Sequence, residues 1–398
     1  MKIVFIAPFG IRPKGTVIAR MIPLAAGLHC LGHEVTIVAP PYTNPEDSGK
    51  TETVRGVPVK NISLGPSGKI LSALVLSHRL YRAAMAEQPD LVHLFKPKGY
   101  GGLAACAQIL FRRLGRRLPP LVVDTDDWEG AGGMNELHAY GAAEKTVFSL
   151  QDRWLQRWAD GVTVASRTLQ ARACDLGILP EKVLYLPNCV DDTAAGDGRK
   201  IRQRLGIAAE TPVALLYTRF FEFDQQRLHR VLDEIHRQIP GVRFLVVGKG
   251  RSGEEEQLLR AAEDLGFAPA LVMAGWVEPA AIPDYLAAGD VALYPFDDTL
   301  VNRAKCPAKL TELLRAGVPV VGDRVGQIAE YIEPGSSGVL CDPGNWREMA
   351  DGAARLLADS EKGRAVGDAG RCYLLENFNW TAYAAKLHDF YAERAGLS

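Results

Sequence analysis

The chain has 398 residues, enough for two domains, and its 47% hydrophobic and 23% charged residues are typical of a globular protein. Lys and Arg number 46 against 47 Asp and Glu, so the overall charge gives no reason to expect nucleic acid as a partner. The 7 cysteines are scattered, without a CxxC pair or a Cys/His cluster, which argues against a zinc site and a disulfide framework.

The start of the chain is predicted to form a βαβ unit. Residues 3–7 are a continuous apolar run, typical of a buried parallel strand. A loop at residues 12–16 leads into a helix predicted to end at Leu31, and residues 34–39 form the next strand. Ligands of such units bind at the C-terminal ends of the strands. The loop has no GxGxxG pattern and therefore does not predict a dinucleotide site.

Two lysines follow a buried strand predicted at residues 90–94. The segment before that region, residues 41–67, is predicted to be an acidic loop with one strand at residues 59–62. Lys96 and Lys98 lie in the loop after the strand at residues 90–94, where they would meet a phosphate or an acidic acceptor. Lysines in such loops are more often only solvated, and both interpretations stay open.

A helix predicted at residues 103–114 ends in four arginines, Arg112, Arg113, Arg116 and Arg117. A basic C-terminal end suits the helix dipole, so an ordinary surface helix is the favoured interpretation. Helices of this kind also lie on anionic membranes, so a weak peripheral membrane contact is the alternative.

An acidic loop follows the strand at residues 121–123. It contains four carboxylates, Asp124, Asp126, Asp127 and Glu129. Carboxylates this close repel one another and are rarely kept for stability, so the loop is predicted to be functional. A metal site is the competing interpretation, because hard cations prefer carboxylate ligands.

A polar segment divides the chain into two α/β halves. Residues 191–200 lack large apolar side chains, as expected of an exposed connector. The predicted domains are therefore residues 1–190 and residues 191–375, followed by an amphipathic C-terminal helix at residues 376–398.

The second half contains the most informative segment, residues 305–332. Pro307 is expected at the first position of a helix, and Gly317 lies just past its end. Lys305 precedes a helix N-terminus, whose free N–H groups and positive dipole end suit a phosphate. Glu312 follows one turn later, beside the small Ala308, and is placed to accept hydrogen bonds from two sugar hydroxyls. Phosphate and ribose together indicate a nucleotide.

This segment resembles the signature of the retaining glycosyltransferases of family 4, which have the GT-B fold. Glu312 matches the second Glu of the signature, residues 317–321 match its Gly-x-Pro-Val-Val, and Gly326 with Glu330 matches its end. Ala304 occupies the place of the first Glu, which in the family usually touches the donor sugar. The resemblance therefore does not identify the sugar.

The resemblance implies an α/β protein of two Rossmann-like domains facing a central cleft, with the nucleotide held mainly by the second. The C-terminal helix is implied to cross back onto the first domain. The residues implied to bind the donor, besides Glu312, are Gly15, Gly248, Gly250, Pro307 and Ala308. As a lone GxG pattern, Gly248 and Gly250 are weak evidence.

Three residues are implied to be catalytic. Arg219 occupies the place of a family arginine that binds the diphosphate. The lysine that usually follows is missing, and Lys305 or Arg227 would substitute for it. Asp126 stands in place of a family histidine near the donor sugar and is expected to face Glu312 across the cleft. GT-B glycosyltransferases do not generally need a metal for donor binding, so no metal and no further cofactor are expected.

The expected function is glycosyl transfer from a nucleoside diphosphate sugar to an unidentified acceptor, with retention implied by the family. Two alternatives stay open: a GT-B nucleotide-sugar epimerase, and a catalytically degenerate GT-B protein that serves as a binding or activating partner. Ala304 in place of the first Glu, Thr218 in place of a family glycine and the missing lysine favour the second alternative. Glu312, Arg219 and Lys305 weigh against it.

The expected location is the cytoplasm. The N-terminus is too short and strand-like for a signal peptide, and no run of about 18 apolar residues predicts a membrane span. If the basic helix binds lipid, the protein is expected to lie peripherally at the inner membrane face.

Overall fold

The structure is a computed structural model that describes residues 1–12, 15–65 and 69–396. Pro13 and Lys14 of the predicted first loop lie outside the described residues. The chain divides into two compact units. The first contains Met1–Cys189, Ala304–Cys306 and Trp380–Ser398, and the second contains Val190–Arg303 and Pro307–Asn379.

The first unit is built on a sheet of eight strands among the described residues. These are β1 (Lys2–Ile6), β2 (Glu34–Ala39), β3 (Thr51–Val54), β4 (Val57–Asn61), β5 (Leu91–Phe95), β6 (Leu121–Thr125), β7 (Gly161–Val164) and β8 (Val183–Tyr185). The spatial order is β3-β4-β2-β1-β5-β6-β7-β8, and only the β3–β4 pair is antiparallel. Every residue of β5, β6 and β7 is buried, which explains their continuous apolar character.

Helices flank this sheet. A π-helical turn at Val17–Met21 leads into α1 (Ile22–Cys30), and α2 (Lys69–Ala86), α3 (Gly99–Arg113), α4 (Ala142–Trp158) and α5 (Arg167–Asp175) follow along the chain. The order of strands reverses between β1 and β5, so the carboxyl ends of these two strands flank the switch point at which α/β sheets bind ligands.

The second unit is built on a parallel sheet of six strands in the part of the chain described. They are β9 (Val213–Tyr217), β10 (Arg243–Val247), β11 (Leu271–Gly275), β12 (Val291–Tyr294), β13 (Val320–Asp323) and β14 (Val339–Cys341). Their order, β11-β10-β9-β12-β13-β14, is that of a Rossmann fold, with its switch point between β9 and β12. The α/β class with two Rossmann-like parallel-sheet domains, expected from the sequence, is confirmed.

The helices that follow β8 along the chain, up to residue 377, are mostly short. They are α6 (Gly198–Arg204), α7 (Gln225–Gln238), α8 (Glu254–Leu265), α9 (Ile282–Leu286), α10 (Leu300–Ala304), α11 (Ala308–Arg315), α12 (Ile328–Tyr331), α13 (Trp346–Ala358) and α14 (Ser360–Asn377). Helices α7 and α13 pack together against the sheet and bury Leu228, Leu232 and Met349 in the core.

The last helix, α15 (Trp380–Ala395), belongs to the first unit. It packs on α1 so closely that a Cβ atom added at Gly27 would lie 2.7 Å from the Cβ of Ala384. The Tyr391 hydroxyl lies 2.5 Å from Nδ1 of the buried His93 on β5. This helix is therefore an integral layer of the first unit.

Three local predictions need correction. Residues 41–67 contain a second strand, β3, which pairs with β4 through a turn at Arg55 and Gly56. Helix α3 begins at Gly99, so the glycines after Lys98 form its first turn instead of extending the loop. Pro307 is the residue before α11 rather than its first helical residue, with φ −75° and ψ 101°.

Candidate functional site

A small cavity opens in the second unit at the carboxyl ends of β9 and β12. Its lining includes Tyr217 at the end of β9 and Thr218 after it, Tyr294 at the end of β12 and Phe296 after it, and Lys309 on α11. It therefore lies at the switch point of the parallel sheet, where Rossmann-like domains bind nucleotides.

Glu312 lies beside this cavity through its contact with Tyr217. The Tyr217 hydroxyl donates a hydrogen bond to Oε2 of Glu312 over 2.9 Å. Burial, together with the adjacent Glu312 carboxylate, raises the pKa of Tyr217, so this hydroxyl stays protonated and remains a donor. The Lys309 ammonium lies 3.4 Å from the centre of the Tyr217 ring. Because Lys309 and Glu312 are three residues apart on α11, both side chains lie on the same face.

A second group of cations lies beyond the end of β9. The Arg219 guanidinium is half exposed, lies 4.8 Å from the Phe221 ring centre and contacts Glu222 over 3.3 Å. The Arg251 guanidinium lies 4.8 Å from the same ring. Two arginines that share one aromatic ring present positive charge to solvent, as a diphosphate site requires.

The two glycines after β10 have structural roles that the sequence does not show. Gly248 has φ +125°, and a Cβ atom there would lie 1.8 Å from the Thr218 carbonyl oxygen. The Gly248 N–H donates to the Gly275 carbonyl over 2.7 Å, and the Gly250 N–H donates to Glu255 over 2.9 Å. Gly248 therefore permits a close approach of two strand ends, and both N–H groups are already engaged.

Arg227, the other expected substitute for the missing family lysine, is held by two carboxylates. Its guanidinium contacts Asp323 over 2.9 Å and Asp297 over 3.1 Å, and only 9% of its side chain is exposed. Asp323 also accepts a hydrogen bond from the Phe296 backbone N–H over 2.7 Å. This ion pair fastens α7 to the ends of β12 and β13, so its role is structural.

The start of α11 brings two further predicted residues into the second unit. The Pro307 carbonyl accepts a hydrogen bond from the Leu310 N–H over 3.1 Å, and the Ala308 carbonyl accepts one from Thr311. Ala308 is the first helical residue and Glu312 lies one turn later, so the spacing expected from the sequence is present.

Lys305 is held in the first unit, whereas Arg219 and Glu312 lie in the second. Ser166 donates to the Ala304 carbonyl over 2.8 Å, and the Asn188 side-chain amide donates to the Cys306 carbonyl over 2.7 Å. These bonds fix the peptide on both sides of Lys305, whose side chain is buried.

The predicted acidic loop begins later than expected, because Asp124 lies in β6, where it forms a buried structural ion pair. Arg20, on the π-helical turn, contacts the Asp124 carboxylate over 2.6 and 2.9 Å, with 1% and 0% of their side chains exposed. Burial raises the pKa of Asp124 despite the charge of Arg20. Thr163 on β7 also donates to Asp124 over 2.5 Å. Asp124 is therefore a link between three elements.

Asp126 follows β6 and reaches the switch point of the first sheet through Thr16, after β1, and Lys96, after β5. Its carboxylate accepts a hydrogen bond from Thr16 over 3.0 Å and contacts the Lys96 ammonium over 2.7 Å. Burial alone would raise the pKa of Asp126, but the Lys96 charge and its hydrogen bond outweigh burial and lower it. The Gly15 carbonyl accepts a hydrogen bond from the Ala19 N–H over 2.9 Å. This bond places Thr16 directly before the π-helical turn.

Two lysines neutralise the rest of the loop. Lys96 contacts Asp127 over 2.6 Å and has a left-handed backbone with φ +57°, and Lys98 contacts Glu129 over 2.6 Å. The predicted mutual repulsion of the carboxylates is therefore relieved by cations from the loop after β5. No cluster of three His, Cys, Asp or Glu side chains suited to a metal ion occurs within the described ranges.

Sequence reasoning missed Tyr217, Lys309 and Arg251. Tyr217 reads as one residue of a buried strand, and its contact with Glu312 joins positions far apart in the chain. The spacing of Lys309 and Glu312 was a usable signal, because residues three apart on a helix share a face.

Comparisons with known proteins cover most of the chain. A model described as Glycosyl transferase 4-like domain matches residues 15–189, and a model described as Glycosyl transferases group 1 matches residues 211–359. The GDP-mannose-dependent alpha-(1-6)-phosphatidylinositol monomannoside mannosyltransferase of Mycolicibacterium smegmatis is 26% identical over 371 residues, which is 91% of each chain.

Solved structures share the fold. Anabaena HepE in complex with UDP and glucose has a TM-score of 0.73 at 20% identity, covering 99% of this chain and 100% of that one. Sucrose-phosphate synthase of Thermosynechococcus elongatus has a TM-score of 0.76 at 18% identity, covering 100% of both chains. The two matched domains, with the fold and the segment around Glu312, lead to one conclusion: the chain belongs to the group 1 glycosyltransferases with the GT-B fold and is a glycosyltransferase.

Proposed function

We propose that this glycosyltransferase moves a mannosyl unit from GDP-mannose to a hydroxyl group of a lipid-borne polyol, with retention of the anomeric configuration. The observation that supports a nucleotide-sugar donor is the Tyr217–Glu312–Lys309 group at the switch point of the second sheet. GDP-mannose and a lipid-borne acceptor are supported by the relative from Mycolicibacterium smegmatis, which matches 91% of the chain. Retention is supported by the resemblance to family 4.

In this proposal the second unit binds the nucleotide. The Glu312 carboxylate, oriented by the Tyr217 hydroxyl, accepts hydrogen bonds from both ribose hydroxyls, and such charge-assisted bonds are strong. Lys309, Arg219 and Arg251 supply positive charge for the diphosphate. Gly248, Gly250, Pro307 and Ala308 shape the backbone around the nucleotide.

The chemistry depends on charge that develops as the donor bond breaks. Negative charge grows on the departing diphosphate, and Arg219 with Lys305 stabilises it in the transition state. Positive charge grows on the sugar ring, and an ionised Asp126 stabilises that charge. Gly15 lies at the start of the helix whose Thr16 orients Asp126. The oxygen of the acceptor hydroxyl forms the new bond to the anomeric carbon on the face that the diphosphate leaves. The hydroxyl proton passes to the departing diphosphate, and GDP is released.

In this proposal the reaction takes place in the cytoplasm at the inner membrane face, where a lipid-borne acceptor would lie. No helix in the part of the chain that the structure describes has the length and apolarity to cross a bilayer.

The two alternative functions make different predictions. An epimerase releases sugar without any acceptor, and a degenerate partner protein binds no nucleotide sugar.

A thermal-shift screen against GDP-mannose, UDP-glucose and other nucleotide sugars tests the donor. A ligand at about 100 times its Kd should add roughly 2.7 kcal/mol to the free energy of unfolding. We expect stabilisation by GDP-mannose above the other donors, followed by acceptor-dependent release of GDP. Stabilisation by another donor alone would replace the sugar assignment, and stabilisation by none would favour the partner protein.

Replacing Glu312 by alanine should weaken donor binding about tenfold or more, because a hydrogen bond to a charged group contributes roughly 1.5–3 kcal/mol. Titration calorimetry with the donor measures this loss. Tyr217→Phe is the matched control, since it removes only the hydroxyl that orients Glu312 and should cost less. Unchanged affinity in Glu312→Ala would remove Glu312 from the donor site.

Replacing Asp126 by asparagine should lower kcat more than it weakens nucleotide binding. Lys96→Met tests the charge of Asp126 through the pH dependence of kcat. Without the ammonium, burial raises the pKa of Asp126, so activity should be lost at a higher pH as the pH falls. Lys98→Met removes the partner of Glu129 instead, and it should leave the pH at which kcat falls unchanged. Full turnover in Asp126→Asn would refute the catalytic role.

A further inference from the structure

An exposed aromatic and aliphatic stripe runs along α4. Trp154 and Trp158 are 43% and 39% exposed, and their rings stack with centroids 5.6 Å apart. Val147 and Leu150 on the same helix are also exposed. At 3.6 residues per turn the four positions fall within about 80° of one another, so they form one face. A contiguous apolar face of this kind marks an interaction site.

The C-terminal end of α3 continues this face. Leu110 and Leu114 are 54% and 70% exposed, and the Arg113 guanidinium lies 4.6 Å from the Trp158 ring centre. This contact joins the ends of the two helices. We call the combined surface, made of Leu110, Arg113, Leu114, Leu150, Trp154 and Trp158, the Trp–Arg face.

The charge around the Trp–Arg face is positive. Exposed arginines flank it at positions 113, 116, 117, 153 and 157. Residues 91–123, which include all of α3, contain no Asp or Glu. The acidic residues of α4 are Glu144, which bonds the Gly141 N–H at the far end of the helix, and the buried Asp152. Arg112 contributes little, because it pairs with Asp160 over 2.5 Å.

We propose that the Trp–Arg face docks on an anionic lipid bilayer. Tryptophan and leucine side chains insert at the boundary between head groups and acyl chains, and arginines contact the anionic head groups. A second copy of the chain is a poor occupant, since a two-fold interface would bring the arginines of both copies together. The proposal goes beyond glycosyl transfer and holds for any donor sugar.

Co-sedimentation with vesicles at low salt tests the proposal, using equal parts phosphatidylglycerol and phosphatidylcholine, or phosphatidylcholine alone. The wild-type protein should bind the anionic vesicles and not the neutral ones, and salt should weaken this binding. Arg113→Gln/Arg116→Gln/Arg117→Gln should lower the partition coefficient about 100-fold. Trp154→Ala/Trp158→Ala should lower it at least about tenfold, because it removes the inserted rings.

Matched variants in the second unit control for general effects. Trp276→Ala removes a tryptophan that is 64% exposed, and Arg199→Gln/Arg230→Gln/Arg260→Gln removes the same charge from other exposed helix positions. Both controls should bind as the wild type does. The proposal is overturned if the wild type does not bind, or if the controls lose as much binding as the face variants. It is also overturned if Trp154→Ala/Trp158→Ala abolishes a concentration-dependent dimer instead.

Discussion

Replacing Arg219 by alanine should lower kcat about 100-fold, the typical loss when one group that stabilises transition-state charge is removed. The half-exposed guanidinium beside Phe221 is positioned by its contact with Glu222 and remains accessible to a diphosphate. Because the charge on the leaving group grows as the bond breaks, the loss should appear in kcat more than in donor affinity. Single-turnover kinetics with the best donor of the screen measures it.

Lys305→Ala should also lower kcat more than donor affinity if Lys305 supplies the cation that the family lysine usually provides. Arg227→Met is the informative contrast. Arg227 is tied to Asp323 and Asp297, so its removal should lower stability and leave kcat in the folded fraction close to the wild-type value. If Arg219→Ala and Lys305→Ala both retain full turnover, the catalytic assignment is wrong.

The sequence predicted much of the fold because each signal was local. The apolar runs predicted to be strands at residues 90–94 and 121–123 form the buried parallel strands β5 and β6, which end one and two residues later. The strand β3 was missed because three of its four residues, at positions 51–53, are polar, and because its turn, at Arg55 and Gly56, lacks the usual Asn-Gly signal.

The candidate site could be predicted only in part from the sequence, because it depends on contacts between positions that are distant along the chain. Glu312 was recognisable from its helix, but its partner Tyr217 lies on a strand whose apolar character hides a functional hydroxyl. Gly248 and Gly250 were found by pattern, yet their N–H groups are used by Gly275 and Glu255. A pattern locates such residues and does not show which atoms are free for a ligand.

The ion pairs of residues 124–129 could not be predicted from the sequence either. Asp124, Asp126, Asp127 and Glu129 appear mutually repulsive in sequence, because their cations come from other elements. Lys96 reaches three of these carboxylates from a left-handed backbone position, which is costly for a residue with a side chain. Residues 124–129 therefore form a set of ion pairs with different roles, from the structural Asp124 on β6 to the proposed functional Asp126.

The Arg20–Asp124 pair predicts the largest change in stability. Replacing Arg20 by methionine leaves the Asp124 carboxylate buried without its guanidinium, and breaking a buried pair in this way costs about 3–5 kcal/mol. Urea unfolding of the first unit measures the loss. Arg112→Met, which breaks the partly exposed pair with Asp160, is the control and should cost about 1 kcal/mol or less.

The pH dependence of Arg20→Met separates a lost charge partner from a lost side chain. Burial already raises the pKa of Asp124 in the folded protein, and removing Arg20 should raise it further. A carboxyl whose pKa is raised by folding destabilises the protein as the pH rises above the pKa of the unfolded state, because the unfolded state then releases the proton and the folded state retains it. The loss in Arg20→Met should therefore be largest near neutral pH and shrink as the pH falls. Arg20→Met/Asp124→Asn should recover part of the stability at neutral pH, whereas a pH-independent loss would show that Arg20 acts through packing.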